Sequence, residues 1–281
     1  MLRGRRYKKR HGAMRPLPCA LAISGLDPSA GAGLFADLRA FRAASVWGCG
    51  AVAVVTVQST AGLRASTPVP TAQVLAQVRE LWSHENVRAI KIGALGSQAN
   101  VRGVTRWLAS LEPKVPVVID PVMRASRGSS AAPLLEKAGW KAMLQMAKLA
   151  ALVTPNAPEA EALLGHRVRT LADAERAARA FVDLGARAAL VKGGHLPMAT
   201  RTEVNDVLAI GSRILHLRTR RAKIAPHGTG CMLASLIAGK LAGAKQIDDE
   251  VIVSSVRWAK RQLAARFVHP VRIGEGQLVM P

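Results

Sequence analysis

Short apolar runs rich in Ala, Val and Ile recur along this chain, and most are separated by a stretch with helical spacing. That alternation is the strongest constraint on the fold. Strands joined by whole helices run parallel, and right-handed crossovers place the helices on the faces of the sheet. Residues 20–24 read as the first strand, followed by a glycine-rich turn and a helix over about 33–45. Residues 51–57 form a nearly continuous apolar run, as expected of a strand buried on both faces. Helices over about 72–84 and 98–110 alternate with strands at 89–92 and 116–119. A helix near 132–148 leads into a strand at 151–153, and helices at about 158–164 and 171–184 precede a strand at 188–191. The region 203–217 has two β-like runs without a helix between them, which predicts an antiparallel hairpin at the sheet edge. Helices at about 230–242 and 248–267 close the chain. No linker or repeat divides it, so residues 18–281 read as one α/β domain behind a tail at 1–17.

Charge is the oddest bulk property. Forty Lys and Arg against eighteen Asp and Glu give a formal charge of +22, and seven of the basic residues lie in the first sixteen positions with no acid among them. The tail is expected to be disordered; it lacks the serines of a transit peptide, and Met14 offers an alternative start. A basic field favours anionic ligands and nonspecific contact with nucleic acid. No zinc-finger spacing, aromatic RNA-binding signature or heptad pattern accompanies it, so an arginine-rich compositional bias is the favoured account of the charge. Three cysteines, Cys19, Cys49 and Cys231, are far apart in sequence with no C-x-x-C pair, which fits a reduced compartment. No apolar run reaches membrane-spanning length, and no long hydrophobic region follows the tail as in a secretory signal.

In open α/β sheets ligands collect at the carboxyl ends of the strands. The irregular loops 25–33, 58–62, 93–97, 120–130, 154–159 and 192–195 all fall there. A further turn, His227-Gly228-Thr229-Gly230-Cys231, opens onto a small-residue helix. It combines free backbone N–H groups with a thiol at a helix N-terminus, where the dipole favours anions and is expected to lower the cysteine pKa. The plainer reading is a glycine loop entering a packed helix, with Cys231 a small apolar residue.

Each remaining loop has two readings of its own. Gly25 to Gly33 follows a strand, yet it lacks the later acid of a dinucleotide fold and the Gly-Lys-Ser/Thr of a Walker loop. Asp37 either meets a ligand or faces solvent, and solvent is favoured on local grounds. Gln58 offers a donor and an acceptor suited to a heteroaromatic ring, or bonds backbone. Asn156 and Glu159 suit hydrated magnesium, or simply cap a helix. Lys192, before Gly193 and Gly194, is a phosphate contact or part of a turn. Asp120 ends a strand and suits either a turn or a magnesium shell.

Taken together, these residues resemble the hydroxymethylpyrimidine/phosphomethylpyrimidine kinases of thiamine biosynthesis, within the ribokinase-like superfamily. The resemblance runs from about residue 20 to 267. It is carried by Gly25-x-Asp27-Pro28-Ser29-x-Gly31-Ala32-Gly33 with Asp37, then Gln58-Ser59-Thr60, Lys91-Ile92-Gly93 and Asp120-Pro121-Val122-Met123. Thr154-Pro155-Asn156-x-x-Glu159, Lys192-Gly193-Gly194-His195 and the turn ending in Cys231 complete it. Sugar kinases of the superfamily mostly carry aspartate in place of Cys231, so the thiol points to the pyrimidine branch.

The resemblance implies a three-layer α/β/α fold with a mostly parallel central sheet. It further implies a cytoplasmic homodimer that uses ATP and Mg2+ to phosphorylate the hydroxymethylpyrimidine and its monophosphate. Gly25, Asp37, Gln58, Ala94 and Val122 would contact the pyrimidine. Gly228, Thr229 and Gly230 would form the anion hole, with Cys231 taking the substrate proton. Lys192, Thr154, Asn156 and Asp206 would meet the nucleotide, and Asp120, Asn156 and Glu159 would hold magnesium, largely through water.

Some positions depart from the family pattern. Ala94 stands where methionine is usual, which predicts a larger or differently filled pocket, and Ala30 stands where glycine is usual. The segment 124–129 differs from the usual flexible loop, while Ala225-Pro226, Met232 and Ala234 replace polar neighbours of the turn. A pyridoxal-type kinase, or a non-catalytic pyrimidine-binding or nucleic-acid-associated derivative, are the alternatives.

Overall fold

The computed structural model describes residues 16–124, 134–196, 202–222 and 226–281. The basic tail up to residue 15 and the loop at 125–133 lie outside the described residues. Among the described residues one sheet of nine strands organises the fold: β1 (Cys19–Leu26), β2 (Trp47–Ser59), β3 (Gly62–Pro68), β4 (Val87–Ile92), β5 (Val117–Ile119), β6 (Leu152–Val153), β7 (Ala188–Val191), β8 (Glu203–Ile210) and β9 (Arg213–Arg220). Their spatial order is β3-β2-β1-β4-β5-β6-β7-β8-β9. The six strands from β2 through β7 in that order are parallel; β3, β8 and β9 are antiparallel additions at the two edges.

Strand periodicity splits the core into two layers. Leu21, Ile23, Ile90, Ile92, Ile119 and Val153 face one side, where α2 (Thr71–His84), α3 (Gln98–Ala109), α4 (Lys137–Ala147), α5 (Ala157–Leu164) and α6 (Leu171–Asp183) pack. Ala20, Ala22, Ala89, Val118, Leu152 and Leu190 face the other, against α1 (Gly33–Ala43), α7 (Thr229–Ala242) and α8 (Asp249–Arg266). The small alanines on this second face admit α7 closely. Its side chains are buried almost all round, as an apolar helix in the middle of a layer must be.

The predicted elements are all present, and the hairpin at 203–217 lies at the sheet edge as β8 and β9. Two expectations are corrected. The run 51–57 is not buried on both faces: Val55 and Val57 are exposed, because β2 continues beyond the helical layers and pairs with β3 as a two-stranded ribbon. Residues 58–62 are therefore the hairpin turn joining β2 and β3, with Ser59 opposite Gly62, rather than a loop leading to a crossover helix. The cysteines also differ from their sequence spacing. Cys19 and Cys49, on neighbouring strands, are both buried with their sulfurs 2.9 Å apart as free thiols that share a hydrogen bond.

Candidate active site

At the carboxyl end of β1 the register against β2 shifts between Ser24 and Gly25, a bulge that turns the strand into its loop. Asp27 organises that loop. Its carboxylate accepts from Ser29 N at 2.9 Å, Ser29 Oγ at 2.8 Å and Ala32 N at 2.9 Å. Across the gap, His227 Nε2 lies 2.9 Å from Asp27 Oδ2 and 3.0 Å from Gln58 Nε2. Burial opposes ionisation of Asp27, but the hydrogen bonds from His227, Ser29 and Ala32 outweigh it and hold its pKa below the ordinary range.

Gly228 then takes a left-handed conformation, φ +79°, and any Cβ there would collide with the Gly31 carbonyl. Only glycine meets both demands. From this turn α7 begins, with Met232 N bonding Gly228 O at 2.9 Å. Among the described residues the N–H groups of Thr229, Gly230 and Cys231 have no backbone acceptor, so three donors point from one helix end into the loops. The Thr229 hydroxyl donates to Pro226 O at 2.7 Å and steadies the turn.

Facing the turn is a charged cluster. Lys192 Nζ donates to Asp120 Oδ1 at 2.9 Å and lies 3.8 Å from Glu159 Oε2. It also sits beside Gly230, where a Cβ would come within 3.2 Å of it. Burial works against this ammonium, yet Asp120 and Glu159 keep its pKa raised. Asp120 is held below the carboxylate range by Lys192 and Lys91 in spite of burial. Thr154 Oγ1, fully buried, lies 3.4 Å from Asp120 Oδ1 and helps fix it.

Asn156 and Glu159 form a complete capping box for α5: Glu159 N donates to Asn156 Oδ1 at 2.9 Å and Asn156 N to Glu159 Oε2 at 2.8 Å. The capping reading is thus realised, and it leaves Glu159 facing Lys192 as well. Desolvation pushes Glu159 up to about 7, with Lys192 opposing. Among the described residues no group of three or more His, Cys, Asp or Glu forms a metal cage.

Several expectations need correcting. The helix end does not lower the Cys231 pKa. Burial pushes it up to about 12; Lys91 and the Gly33 N–H draw it down, while the carboxylates of Asp120 and Asp37 add to the rise. Near neutral pH the group is a thiol, close enough to Asp120 to help hold that carboxylate ionised. Asp37 does not face solvent. Its side chain is wholly buried beneath the site, bound by Lys91 Nζ at 2.9 Å through both oxygens and by Ser235 Oγ at 2.6 Å. Asp206 is also turned inward: it accepts from Gly193 N at 2.8 Å and pairs with Lys260, so it shapes the turn after Lys192.

Around Ala94 the space is filled by aliphatic neighbours, in keeping with a differently filled pocket. Ala94 packs with Val54, Leu63, Leu134 and Val122, so neighbouring aliphatic side chains occupy the space beside Gly25. The described structure thereby gathers Gly25, Gln58, Ala94 and Val122 on one side and Asp120, Thr154, Asn156, Glu159, Lys192 and Cys231 on the other. Asp27, Lys91, His227 and Ser235 were absent from the predicted site residues. Three of them are polar residues in otherwise apolar stretches or beside glycines, which is the signal that marks them.

A model of the phosphomethylpyrimidine kinase family matches residues 27–280. The chain is 35% identical over 259 residues to the hydroxymethylpyrimidine/phosphomethylpyrimidine kinase of Haemophilus influenzae, covering 91% of this chain and 93% of that one. The corresponding Streptomyces coelicolor protein is 34% identical over 260 residues, with 92% of each chain covered. Among solved structures, the pyridoxal kinase from Staphylococcus aureus in complex with pyridoxal has a TM-score of 0.82 at 26% identity, covering 96% of this chain and 94% of that one. The phosphomethylpyrimidine kinase from Clostridium difficile has a TM-score of 0.73 at 28% identity, covering 88% and 98%. The architecture is ribokinase-like, as the resemblance implied.

Proposed function

This chain belongs to the phosphomethylpyrimidine kinase family, and we propose that it transfers the γ-phosphoryl group of ATP to the hydroxymethyl oxygen of 4-amino-5-hydroxymethyl-2-methylpyrimidine, and then to the resulting monophosphate, in thiamine biosynthesis. The observation that carries this reading is the meeting of two half-sites at one sheet edge. The three free N–H groups of Thr229 to Cys231 lie beside the Lys192–Asp120–Glu159 cluster, and Gln58 lies beside the same turn through His227.

Phosphoryl transfer has a loose transition state, so alignment and neutralisation of charge do most of the catalysis. The turn's N–H groups and Lys192 would take up charge on the transferring phosphoryl oxygens. As the substrate oxygen bonds to phosphorus and ADP departs, the hydroxyl proton moves to the Cys231 sulfur while the thiol proton passes to Asp120. Gly25, Gln58, Ala94 and Val122 would line the ring, and Asp37 would act from beneath by holding Lys91. Thr154 and Asp206 would place Asp120 and the Lys192 turn for the nucleotide. Asp120, Asn156 and Glu159 provide hard oxygen atoms fitting Mg2+ carried in with the nucleotide, mostly through water, and the ion would neutralise the β- and γ-phosphates.

Free thiols support a cytoplasmic location. No helix among the described residues is long and apolar enough to cross a membrane. Exposed Val55 and Val57 on the β2–β3 ribbon support a homodimer formed there, which light scattering of the wild type and of a Val57→Lys variant would test. Any contact of the basic chain with nucleic acid is nonspecific and falls with salt. A coupled ATP assay with the hydroxymethylpyrimidine, its monophosphate and pyridoxal tests the proposed reaction. Turnover of the first two supports it. Turnover of pyridoxal alone would assign a pyridoxal-type kinase, and binding without turnover a non-catalytic derivative.

A further inference from the structure

An amide side chain is ambiguous until its neighbours are considered, because its oxygen and nitrogen exchange places by half a turn that moves nothing else. The neighbour of Gln58 is His227. Its ring is buried, and a single atom, Nε2, faces both Asp27 Oδ2 at 2.9 Å and the nearer amide atom of Gln58, assigned as nitrogen, at 3.0 Å. One ring nitrogen carries at most one proton. Asp27 decides where it goes. All its other partners, Ser29 N, Ser29 Oγ and Ala32 N, are donors, so the carboxylate is an ionised acceptor. A bare nitrogen lone pair at 2.9 Å would repel it, so Nε2 bears the proton and directs it at Asp27.

An NH2 group of Gln58 at that distance would set donor against donor. The amide oxygen resolves the conflict by sharing the same proton, and the NH2 group then points the other way. His227 Nδ1 supports this assignment: it is buried, with no hydrogen-bond partner among the described residues. An orphaned buried N–H is rarer than an under-satisfied acceptor, so the tautomer with hydrogen on Nδ1 is doubly disfavoured. Among the described residues the far end of the Gln58 amide has no hydrogen-bond partner, which leaves its two donors for a ligand.

We infer that His227 is a specificity-determining residue: held by Asp27, it locks the Gln58 amide with its oxygen inward and its NH2 toward the ring, so the site selects a substrate with a hydrogen-bond acceptor at that position. The inference rests on the reading of Gln58 as a ring contact. It adds a direction to that contact, donor rather than acceptor, and names the residue that sets it. The turn that presents anion-binding N–H groups thereby begins with the residue that orients ring recognition, since His227 directly precedes Gly228.

Two measurements test it. Nitrogen-15 NMR of the histidine-labelled wild type reads the tautomer without any mutation. Hydrogen on Nε2 of His227 is expected, and hydrogen on Nδ1 alone would overturn the inference. The second measurement compares kcat/KM for the aminopyrimidine with that for the analogue whose ring nitrogen beside the amino group is replaced by C–H. The wild type should prefer the nitrogen ring by at least about tenfold. In His227→Leu, checked by melting temperature and by ADP affinity, that preference should fall several-fold with the loss mainly in KM, and His227→Asn, which can still donate an N–H, should recover part of it. A folded His227→Leu protein with undiminished preference would also refute the inference. If the wild type turns over neither ring, the kinase reading fails while the tautomer still decides this one.

Discussion

Lys91 and Asp37 meet across the interior with Nζ 2.9 Å from both carboxylate oxygens, and solvent reaches neither side chain. Lys91 comes from β4 and Asp37 from α1, while Ser235 on α7 completes the set. The pair therefore ties the sheet to two helices directly under the turn that carries Cys231. A buried pair contributes little net stability when intact, but removing one partner strands the other charge. Lys91→Met should destabilise the protein by about 3–5 kcal/mol. The double change with Asp37→Leu should recover much of that loss, as read by urea denaturation. Equal losses in the single and double variants would show that the pair is not coupled.

Cys231 offers a test that needs no substrate. Its pKa is raised to about 12, chiefly by desolvation, so its thiolate is scarce at neutral pH. Alkylation of Cys231 should be slow at pH 7 and climb with pH through 10 without levelling off, whereas an ordinary thiol levels above about pH 8.5. Mass spectrometry separates it from the buried Cys19 and Cys49. For catalysis, Cys231→Ala should lower kcat by about 10²-fold or more while nucleotide affinity stays near that of the wild type.

Ala30 holds a left-handed φ of +58° in the loop organised by Asp27. An L-residue pays about 1 kcal/mol for that conformation, and glycine does not. Ala30→Gly should therefore raise stability by about 0.5 kcal/mol net of the extra chain entropy. A bulkier β-branched residue, Ala30→Val, should lower both stability and activity. Thermal melts of the three proteins give the ranking directly.

The acid limb of stability should carry the signature of Asp27. Its folded pKa lies below the ordinary 3.8, so the ionised form favours the folded state. The stabilisation is complete above the unfolded value and is lost as pH falls through the folded one. As pH falls below the ordinary carboxylate value the wild type should lose stability that Asp27→Asn never had, and the two denaturation curves should converge at the acid end. Parallel curves would remove Asp27 from the account.

The order of strands and helices was legible in the sequence because a doubly wound sheet writes a strong pattern. Buried strands are apolar runs, and each crossover needs a whole helix. What escaped was set by tertiary packing. β3 is missing from the predicted strands because Arg64 and Thr67 are exposed and Ser66 is half-buried, an edge with little apolar content. Asp37 read as solvent-facing although Leu34, Ala40 and Phe41 place it on the inward stripe of α1, a clue outweighed by its charge. The Cys231 pKa was misjudged since the helix end is visible in sequence while the depth of burial is not. Asp120, Glu159, Lys192 and the glycines of the turn were readable as a group, whereas the ring of contacts behind them, Lys91, Ser235 and His227, depends on which layers meet.

The histidine ahead of the turn is also tied to the far end of the fold. His227 N donates to Leu278 O at 2.8 Å, Val279 bridges to His227, and Gln277 N bonds Thr60 O at 2.8 Å. Residues 277–279 thus brace both the β2–β3 hairpin and the approach to α7. During synthesis the chain can assemble its sheet and most helices while that brace is still inside the ribosome. Competence to bind and to react would then arrive abruptly, after residue 279 has emerged, rather than growing with chain length.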